Sequence, residues 1–236
     1  MTDTPRLSLP LLSPSQAQKH VTVNEALARI DGLTQLTLVS IDVATPPVVP
    51  VEGEVYAVPE GALNAWAGQG GKLAIAVNGG WVFVEPRRGW QALVLDRGLP
   101  AIHSGADWRL GAMTLGASGA GLSVGLVEFD QPMGGGPTVT TAPVIPARAT
   151  VFGVTGRVVE AITGGAASWS LGVAGDPGRF GTGLGMGQNS WVNGPAAPVV
   201  YWDATALVLT AAGPAFTGGL VRFAVHYTEL FLPDPV

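Results

Sequence analysis

Glycine and proline are so frequent in this chain that long helices are excluded over most of its length. The sequence of 236 residues contains 34 glycines and 19 prolines, which separate short apolar segments rich in Val, Leu and Thr. Glycine supplies the positive φ angles of tight turns, and proline interrupts helices and central strands. The glycines follow no Gly-x-y repeat, so a collagen-like structure is excluded. The pattern predicts a mainly β fold of many short strands joined by tight turns.

Charged side chains are too few to cover the surface of a well-solvated monomer. They make up 12% of the chain and hydrophobic residues 47%, whereas a typical soluble domain is about 25% charged. Because single-chain surfaces avoid wide apolar patches, we expect part of the surface to be buried in a symmetric homo-oligomer. The sequence leaves the number of subunits open.

The composition also argues against several classes of partner and cofactor. The net charge is −5, with only 12 basic residues and no cysteine, so we expect no direct binding of nucleic acid, no disulfide and no thiolate metal site. We expect neither a signal peptide nor a membrane span, since no apolar run approaches ~18 residues. The three histidines (His20, His103 and His226) are far apart, and the aspartates form no calcium-binding loop. We therefore expect neither a metal nor a cofactor.

One helix is predicted, after an extended N-terminal arm that ends near residue 12. Ser13 can serve as the N-cap and Pro14 suits the first helical position, so the helix is expected over Ser13–Ile30, with Gly32 as a C-cap. Apolar side chains recur at helical spacing and predict a stripe of Val23, Leu27 and Ile30. The arm is expected either to pack on a neighbouring subunit or to fray.

Short apolar segments separated by turns predict a small β module up to residue 112. A strand with a bulge is expected over residues 33–43. The strongest turn signal is Asn78–Gly79, between KLAIAV and WVFVEP, because Asn-Gly adopts the positive φ angles of a two-residue hairpin turn. Three tryptophans are expected in or near the core of this module: Trp81, Trp90 and Trp108. A glycine-rich stretch over residues 111–136 places a boundary near residue 113, which divides the chain into domains 1–112 and 113–236.

The second half repeats the alternation of strands and turns at wider spacing. Six strands are predicted, over residues 138–144, 150–162, 167–174, 198–202, 207–211 and 220–230. In the last of these, four apolar residues alternate with polar or small ones, which is typical of a half-buried antiparallel strand: Val221, Phe223, Val225 and Tyr227. The glycine-rich segment 181–187 is interpreted as a loop or a close backbone approach. These strands predict an antiparallel β-sandwich, similar to a jelly roll.

Aromatic and polar residues near the middle of this half form a candidate glycan-binding set. Aromatic faces stack on the C–H surfaces of sugars, and neighbouring polar groups orient the hydroxyls. Trp191 is flanked by polar residues and is the tryptophan least typical of a core. The candidate contacts are Trp191, Asn189, Asn193, Asp176 and Arg179. The alternative is that the tryptophans of this half fill the core of the sandwich.

A set of short motifs runs through the first half of the chain. In order, they are Gln16–Ala17–Gln18–Lys19–His20, Asn24–Glu25–Ala26, Trp66–Ala67–Gly68, Gly79–Gly80–Trp81 and Gly89–Trp90. Through them, the stretch from about Leu7 to Trp108 resembles a family of phage-derived domains of unknown function that occurs in prophages and gene transfer agents. Members of this family are similar to head-spike or fibre proteins. The candidate residues for anchoring the chain to the particle or to another spike subunit are Gln16, Lys19, His20, Asn24 and Glu25.

The resemblance implies a virion component, assembled in the bacterial cytoplasm, that attaches a phage-like particle to host surface polysaccharide. Three subunits are usual for a spike, and five would suit a capsid vertex. A second hypothesis is a structural adaptor or spike base, linked to other capsid, spike or fibre proteins, with no glycan contact. A third is a polysaccharide-cleaving spike that uses carboxylates such as Asp176, Asp203 or Glu160. Because no G-x-S-x-G nucleophile motif is present, we expect a binding protein rather than an enzyme.

Overall fold

The structure, a computed structural model, describes residues 3–13 and 19–235. It is mainly β with one α-helix in the described part of the chain, as the sequence predicts. The chain forms two compact units. The first runs to Gly121 and includes the stretch from Pro233 onward, and the second is Leu122–Leu232. The boundary between the two units, after Gly121, lies inside the glycine-rich stretch 111–136.

The single helix, α1, spans Lys19–Leu33. Pro14 lies outside the described residues, so the predicted helix start is not described. The prediction that Gly32 caps the helix is wrong, because the helix continues through it and Gln35 takes the left-handed conformation, with φ 48°. Gly32 allows a close approach instead, since a Cβ there would lie 2.8 Å from Cγ2 of Ile75. No helix among the described residues is long and apolar enough to cross a membrane.

The predicted apolar stripe is not the buried face of α1. Val23 is 40% exposed and Ile30 is 52% exposed, whereas Asp31 is 1% exposed. The helix turns Asp31 and Gly32 inward because both contact other parts of the unit: Gly32 meets Ile75, and Asp31 meets the N-terminal arm. A polar residue and a glycine thus face the interior of the unit, whereas two of the three residues of the predicted stripe are exposed.

The arm, described over residues 3–13, folds back onto α1 of its own chain. The Asp31 carboxylate accepts hydrogen bonds from the Thr4 hydroxyl at 2.7 Å, the Leu7 amide at 2.6 Å and the Arg6 amide at 3.1 Å. The guanidinium of Arg6 donates to three backbone carbonyls at the end of the helix: those of Asp31, Gly32 and Gln35. These bonds satisfy carbonyls that have no partner within the helix. Residues 3–9 therefore form a tight turn on the helix rather than an extended arm.

Two small open sheets form the β structure of the first unit. One is a meander of β2, β3 and β4 in that order. Its strands are Val55–Ala57, Leu73–Val77 and Gly80–Val84. The other has the order β1-β5-β6-β7. Its strands are Thr37–Leu38, Gln91–Val94, Leu99–His103 and Trp108–Leu110, with β1 parallel to β5. The strand predicted over 33–43 is thus reduced to Thr37–Leu38, the two residues that pair with β5, and its first residue belongs to α1.

The hairpin turn at Asn78–Gly79 is confirmed, since the φ angles are 52° and 71°. The three predicted tryptophans all pack against core clusters of this unit, as expected, and the core of this hairpin contains a further tryptophan. The fully buried tryptophan is Trp66, which ends a short 3-10 helix over Asn64–Trp66. Its ring centroid lies 5.0 Å from that of Trp81 and 5.3 Å from that of Tyr56. The other two predicted core tryptophans, Trp90 and Trp108, are half-buried against the second sheet.

The second unit is an eight-stranded sandwich of two antiparallel sheets. Its strands β8 to β15 are Gly121–Pro132, Thr138–Ile145, Ala149–Gly164, Ser168–Val173, Asp176–Leu184, Trp191–Tyr201, Thr205–Ala212 and Phe216–Phe231. The sheet with the order β13-β10-β15-β8 is called the front sheet, and the sheet with the order β12-β11-β14-β9 is called the back sheet.

This strand order is that of a jelly roll, as predicted. Counted from β8, the first, eighth, third and sixth strands form the front sheet. The second, seventh, fourth and fifth form the back sheet. Successive strands from β8 to β11, and again from β12 to β15, lie in alternate sheets. The two sheets therefore close over one core. That core includes the fully buried side chains of Trp169, Phe216 and Phe223.

Each of the six predicted strands corresponds to a strand of the sandwich, although the prediction over 198–202 covers only the end of β13, which begins at Trp191. The strand β12 was not predicted. Asp176–Leu184 pairs with β11, although its second half was assigned to a glycine-rich loop. The reason is that Phe180 is its only fully buried residue, so no apolar alternation marks the strand. In β15, by contrast, Val221, Phe223 and Val225 are buried as the alternation predicts.

Candidate functional site

The outer face of the front sheet carries an unusual concentration of polar side chains. Period-2 alternation on β10 and β15 places apolar residues in the core and polar residues outside. On β10, Val154 and Val158 are buried and Gly156 faces inward with them. Arg157 lies between Gly156 and Val158 in the sequence, so its side chain is on the outer face. The face is polar on all four strands. Its members are Glu128 and Asp130 on β8, Thr155 and Arg157 on β10, Trp191 and Asn193 on β13, and Arg222 and His226 on β15.

Four of these residues form one row across the sheet. Arg157 lies directly opposite Trp191 on one neighbouring strand and opposite Arg222 on the other. Arg222 in turn forms a two-point ion pair with Asp130, through Nε and Nη2 at 2.7 Å each. Because directly opposed side chains have Cβ atoms about 5 Å apart, the row of Trp191, Arg157, Arg222 and Asp130 is continuous.

A second row lies beside the first. Thr155 is opposite Asn193 on one side and Ala224 on the other, and its hydroxyl lies 2.9 Å from Nε2 of His226. The methyl side chain of Ala224 leaves space between the longer side chains. The result is a groove of about 380 Å³. Its lining residues are Glu128, Thr155, Gly156, Arg157, Trp191, Val192, Asn193, Arg222, Phe223 and Ala224.

The loop before β13 holds Trp191 at the end of this groove. The Asn189 amide donates to the Val158 carbonyl at 2.9 Å, and the Val158 amide donates to the Ser190 carbonyl at 2.8 Å. The guanidinium of Arg157 donates to the Asn189 carbonyl at 2.8 Å. Asn189 has φ 67°, a conformation that asparagine tolerates better than most residues. The loop is therefore fixed to β10 at the position where Trp191 begins β13.

Trp191 is 64% exposed, whereas Trp169 is 1% exposed and donates its indole N–H to the Gly185 carbonyl. Trp169 therefore belongs to the core. Trp202 is also exposed, but it lies in the turn after β13 and does not line the groove. A large aromatic surface left in water beside hydrogen-bonding groups is the arrangement that sugar-binding sites use.

The charges of the groove are only partly compensated. Hydrogen bonds from Arg222 hold the pKa of the Asp130 carboxyl below its ordinary value, and the same bonds raise the pKa of the Arg222 guanidinium. Both groups are thus charged at neutral pH and neutralise each other. Among the described residues, Arg157 has no carboxylate as an ion-pair partner and donates to a backbone carbonyl instead.

The structure brings together three of the five residues predicted to contact a glycan. Trp191, Asn193 and the loop residue Asn189 lie at one end of the groove. Arg179 does not, because its guanidinium donates to the Ala197 carbonyl at 2.8 Å, roughly 20 Å along β13 from Trp191 at about 3.3 Å per residue. Asp176 stays with Arg179, at 3.8 Å.

Sequence reasoning missed most of the groove. The polar face of β15 was visible in its alternation, which places Arg222 and His226 on one side. Arg157 and Thr155 alternate with buried residues in the same way. The pairing register that sets Arg157 between Trp191 and Arg222 has no local signal, because residues 157, 191 and 222 come from distant parts of the chain.

The residues predicted to anchor the chain lie on or before α1. Gln16 is outside the described residues, and of Lys19 the structure describes only the backbone. Asn24 makes two hydrogen bonds to the backbone of Leu12, at 2.8 and 3.1 Å, and Glu25 forms an exposed ion pair with Arg29. Asn24 therefore holds the N-terminal arm of its own chain.

His20 is half-buried and lines a cavity of about 440 Å³ in the first unit. Thr4, Asn24 and Asp31 also line it, together with residues of β3. Nδ1 of His20 is buried and has no hydrogen-bond partner among the described residues. In the described part of the predicted anchoring region, this cavity is therefore lined by a residue, His20, whose buried ring nitrogen has no hydrogen-bond partner.

The match to a known domain family lies in the first unit. Residues 23–109 match a family model described as a protein of unknown function (DUF2793). No curated protein is significantly similar to the chain. Among solved structures, a chain of a cyanophage Pam1 capsid asymmetric unit is 23% identical, with a TM-score of 0.33 over 51% of this chain and 93% of that chain. Likeness at this level does not establish a common fold. Residues 23–109 are therefore similar to a domain family of unknown function, within the stretch that resembles phage-derived domains.

Proposed function

We propose that this protein is a surface spike or fibre component of a phage-like particle, such as a gene transfer agent, and that it attaches the particle to host surface polysaccharide. The observation that carries the proposal is the groove of the front sheet. An exposed tryptophan stands there beside two arginines, an asparagine and a threonine. The fold alone assigns no function, although jelly rolls occur in both viral capsid and lectin domains.

The groove has the chemistry that a sugar ring requires. The exposed face of Trp191 offers a flat apolar surface for the C–H face of a pyranose. The Asn193 amide and the Thr155 hydroxyl lie opposite each other in the next row, about 7 Å along the strands from Trp191 and Arg157, where they can reach hydroxyls of a stacked ring. Both groups donate and accept hydrogen bonds, so they suit sugar hydroxyls of either orientation.

The placement on a virion rests on the first unit. Its motifs, from Leu7 to Trp108, resemble phage-derived domains that are similar to head-spike proteins, and the family match falls within this stretch. We propose that this unit binds other capsid, spike or fibre proteins and that the jelly roll forms a homo-oligomer, a trimer or a pentamer. Several weak grooves on one particle would then raise avidity through their high effective concentration.

We propose binding without cleavage. Hydrolysis of a glycosidic bond needs a carboxylic acid that is protonated at working pH. Asp130, beside the groove, has its pKa lowered by Arg222 and therefore carries no proton to donate. Glu128 is the one carboxylate among the described residues that line the groove, whereas glycosidic hydrolysis uses a pair. The carboxylates considered from the sequence are divided between the two ends of β13. Glu160 lies on β10 near the Trp191 end, whereas Asp176 and Asp203 lie near the Tyr201 end.

A structural adaptor without glycan contact is the second candidate, and a separate observation favours it. Large apolar side chains are exposed near the other end of the front sheet, among them Phe152, Val200, Trp202 and Leu230. Single-chain surfaces rarely expose such groups together, so contact with other subunits would explain them. An adaptor requires this patch but not the groove.

The first test removes Trp191 and keeps a matched control. Particles carrying Trp191→Ala should assemble and package DNA normally but adsorb to host cells at least about tenfold less, as expected when a central aromatic contact is lost. Particles carrying Arg179→Gln, which changes a residue of the same unit outside both the groove and the exposed apolar patch, should adsorb normally. Deletion of the whole protein should leave DNA-filled particles that do not adsorb. Normal adsorption of the Trp191 variant would refute the proposal that the groove binds the host polysaccharide. Failure of particles to assemble without the protein would support the adaptor role.

A further inference from the structure

The groove is electrically asymmetric along its row of charged residues. At the β8 end, Asp130 is paired with Arg222, and Glu128 is a further carboxylate in the lining. At the β13 end, Arg157 stands beside Trp191 with a backbone carbonyl as its hydrogen-bond partner. Since β10 and β8 are separated by β15, Glu128 lies roughly 10 Å across the sheet from Arg157. Among the described residues that line the groove, Arg157 is therefore the one charged side chain at the Trp191 end, and the lining is positive there.

The position of this positive charge relative to Trp191 restricts the ligand. Arg157 and Trp191 are direct cross-strand partners, so a sugar stacked on the indole has its ring substituents within reach of the guanidinium. A guanidinium has five N–H donors, and Arg157 uses one of them on the Asn189 carbonyl. The remaining donors match the two oxygens of a carboxylate better than any single hydroxyl.

We infer that the groove binds an acidic glycan, in which a uronic acid residue stacks on Trp191 and places its carboxylate on Arg157. The inference rests on the proposed sugar-binding function and adds the ligand class. The carboxylate compensates the one guanidinium of the row that has no acidic partner among the described residues. Thr155 and Asn193 bind hydroxyls of the same or the next sugar. At the other end of the groove, the carboxylates of Asp130 and Glu128 disfavour a second negative charge on the ligand beside the first.

The test compares each polysaccharide with its own carboxyl-reduced form. Hyaluronan, alginate and polygalacturonate are immobilised, each beside a sample whose uronic acids have been reduced to neutral sugars. Binding of the full chain is measured for the natural protein and for Arg157→Gln, Arg157→Lys, Trp191→Ala and Arg179→Gln. Arg179 is the matched control, since it is an arginine of the same unit outside the groove.

We expect at least one acidic polymer to bind about 10- to 100-fold more tightly than its reduced form, as for a charge-assisted hydrogen-bond pair. Arg157→Gln should abolish this difference, while the two backbone hydrogen bonds between Val158 and the loop still hold Trp191 for the reduced form. Arg157→Lys should keep part of the difference, because the charge remains and the two-point geometry is lost. Arg179→Gln should behave as the natural protein, and Trp191→Ala should weaken both forms.

The alternative outcomes separate this inference from the function on which it rests. Equal binding of acidic and reduced polymers, lost in Trp191→Ala, would overturn the acidic-sugar inference and leave sugar binding in place. A preference for the acidic form that survives Arg157→Gln would overturn the assignment to Arg157. No binding to any acidic or reduced polymer would overturn both the inference and the sugar-binding function.

Discussion

The buried carboxylate of Asp31 should decide whether the N-terminal arm stays folded on the helix. Oδ1 accepts hydrogen bonds from the Thr4 hydroxyl and the Leu7 amide, and Oδ2 accepts one from the Arg6 amide. The Asp31→Asn substitution keeps the shape and removes the charge. An amide oxygen in place of Oδ1 still accepts the hydrogen bonds from the Thr4 hydroxyl and the Leu7 amide, but the acceptor is no longer charged. The amide nitrogen then meets the Arg6 N–H, so that two donors face each other.

The cost follows from these three bonds. A hydrogen bond to a charged group contributes about 1.5–3 kcal/mol and a neutral one about 0.5–1.5 kcal/mol. Losing the Arg6 bond and weakening the other two amounts to about 2–4 kcal/mol, since bonds that share one acceptor do not add fully. The arm can detach while the rest of the unit stays folded, so the cost should appear as local opening of the arm.

Native-state hydrogen exchange measures this opening directly. The amide protons of Thr4 and Leu9, which are bonded within the arm, should exchange roughly 30- to 1,000-fold faster in Asp31→Asn, the factor that corresponds to 2–4 kcal/mol. Glu25→Gln is the control, because its exposed ion pair with Arg29 contributes only about 0.3–0.5 kcal/mol. If exchange in the arm is the same in both variants, the carboxylate does not hold the arm and the reasoning is wrong.

Three further predictions concern the stability of the two units. Phe223→Ala, which empties a fully buried core position, should lower the unfolding free energy of the second unit by about 3–5 kcal/mol, seen as a lower urea midpoint. Gly194→Ala should also destabilise this unit, because a Cβ there would lie 1.9 Å from the Phe180 carbonyl oxygen; an unchanged thermal midpoint would contradict this. Burial lowers the pKa of the His103 imidazole, so the unfolded chain binds a proton at higher pH than the native one, and stability should fall as pH drops from about 6.5 through the lowered pKa. His103→Gln should reduce this fall between pH 7.5 and 5, measured as the difference in urea midpoints.

Local patterns predicted those parts of the fold that depend on neighbours in the chain. Asn78–Gly79 forms the expected hairpin turn because the φ angles it needs belong to those two residues. The strand β15 was visible because alternation puts Val221, Phe223 and Val225 on one face whatever they contact. The jelly roll was inferred from such strands, and β12 was missed because its glycines leave Phe180 and Leu184 as its only large apolar side chains, too few to show alternation.

Contacts between distant segments could not be predicted in the same way. The apolar stripe of α1 indicated the wrong buried face, because the arm and Ile75 select Asp31 and Gly32 for contact. From the sequence, Trp66 is only part of a short motif and not a predicted core residue, yet it is fully buried between Tyr56 and Trp81. In each case a local preference was overridden by packing against residues that lie tens of positions away.

The same division applies to the candidate site. The sequence alone determined a β-rich chain with a sandwich of alternating strands and one tryptophan, Trp191, in polar surroundings. Only the tertiary structure decided that Arg157 and Arg222 stand in a row with it and that Arg179 does not. The physical reason is that cross-strand neighbours are set by pairing register, which depends on how all strands close over a common core rather than on any short segment.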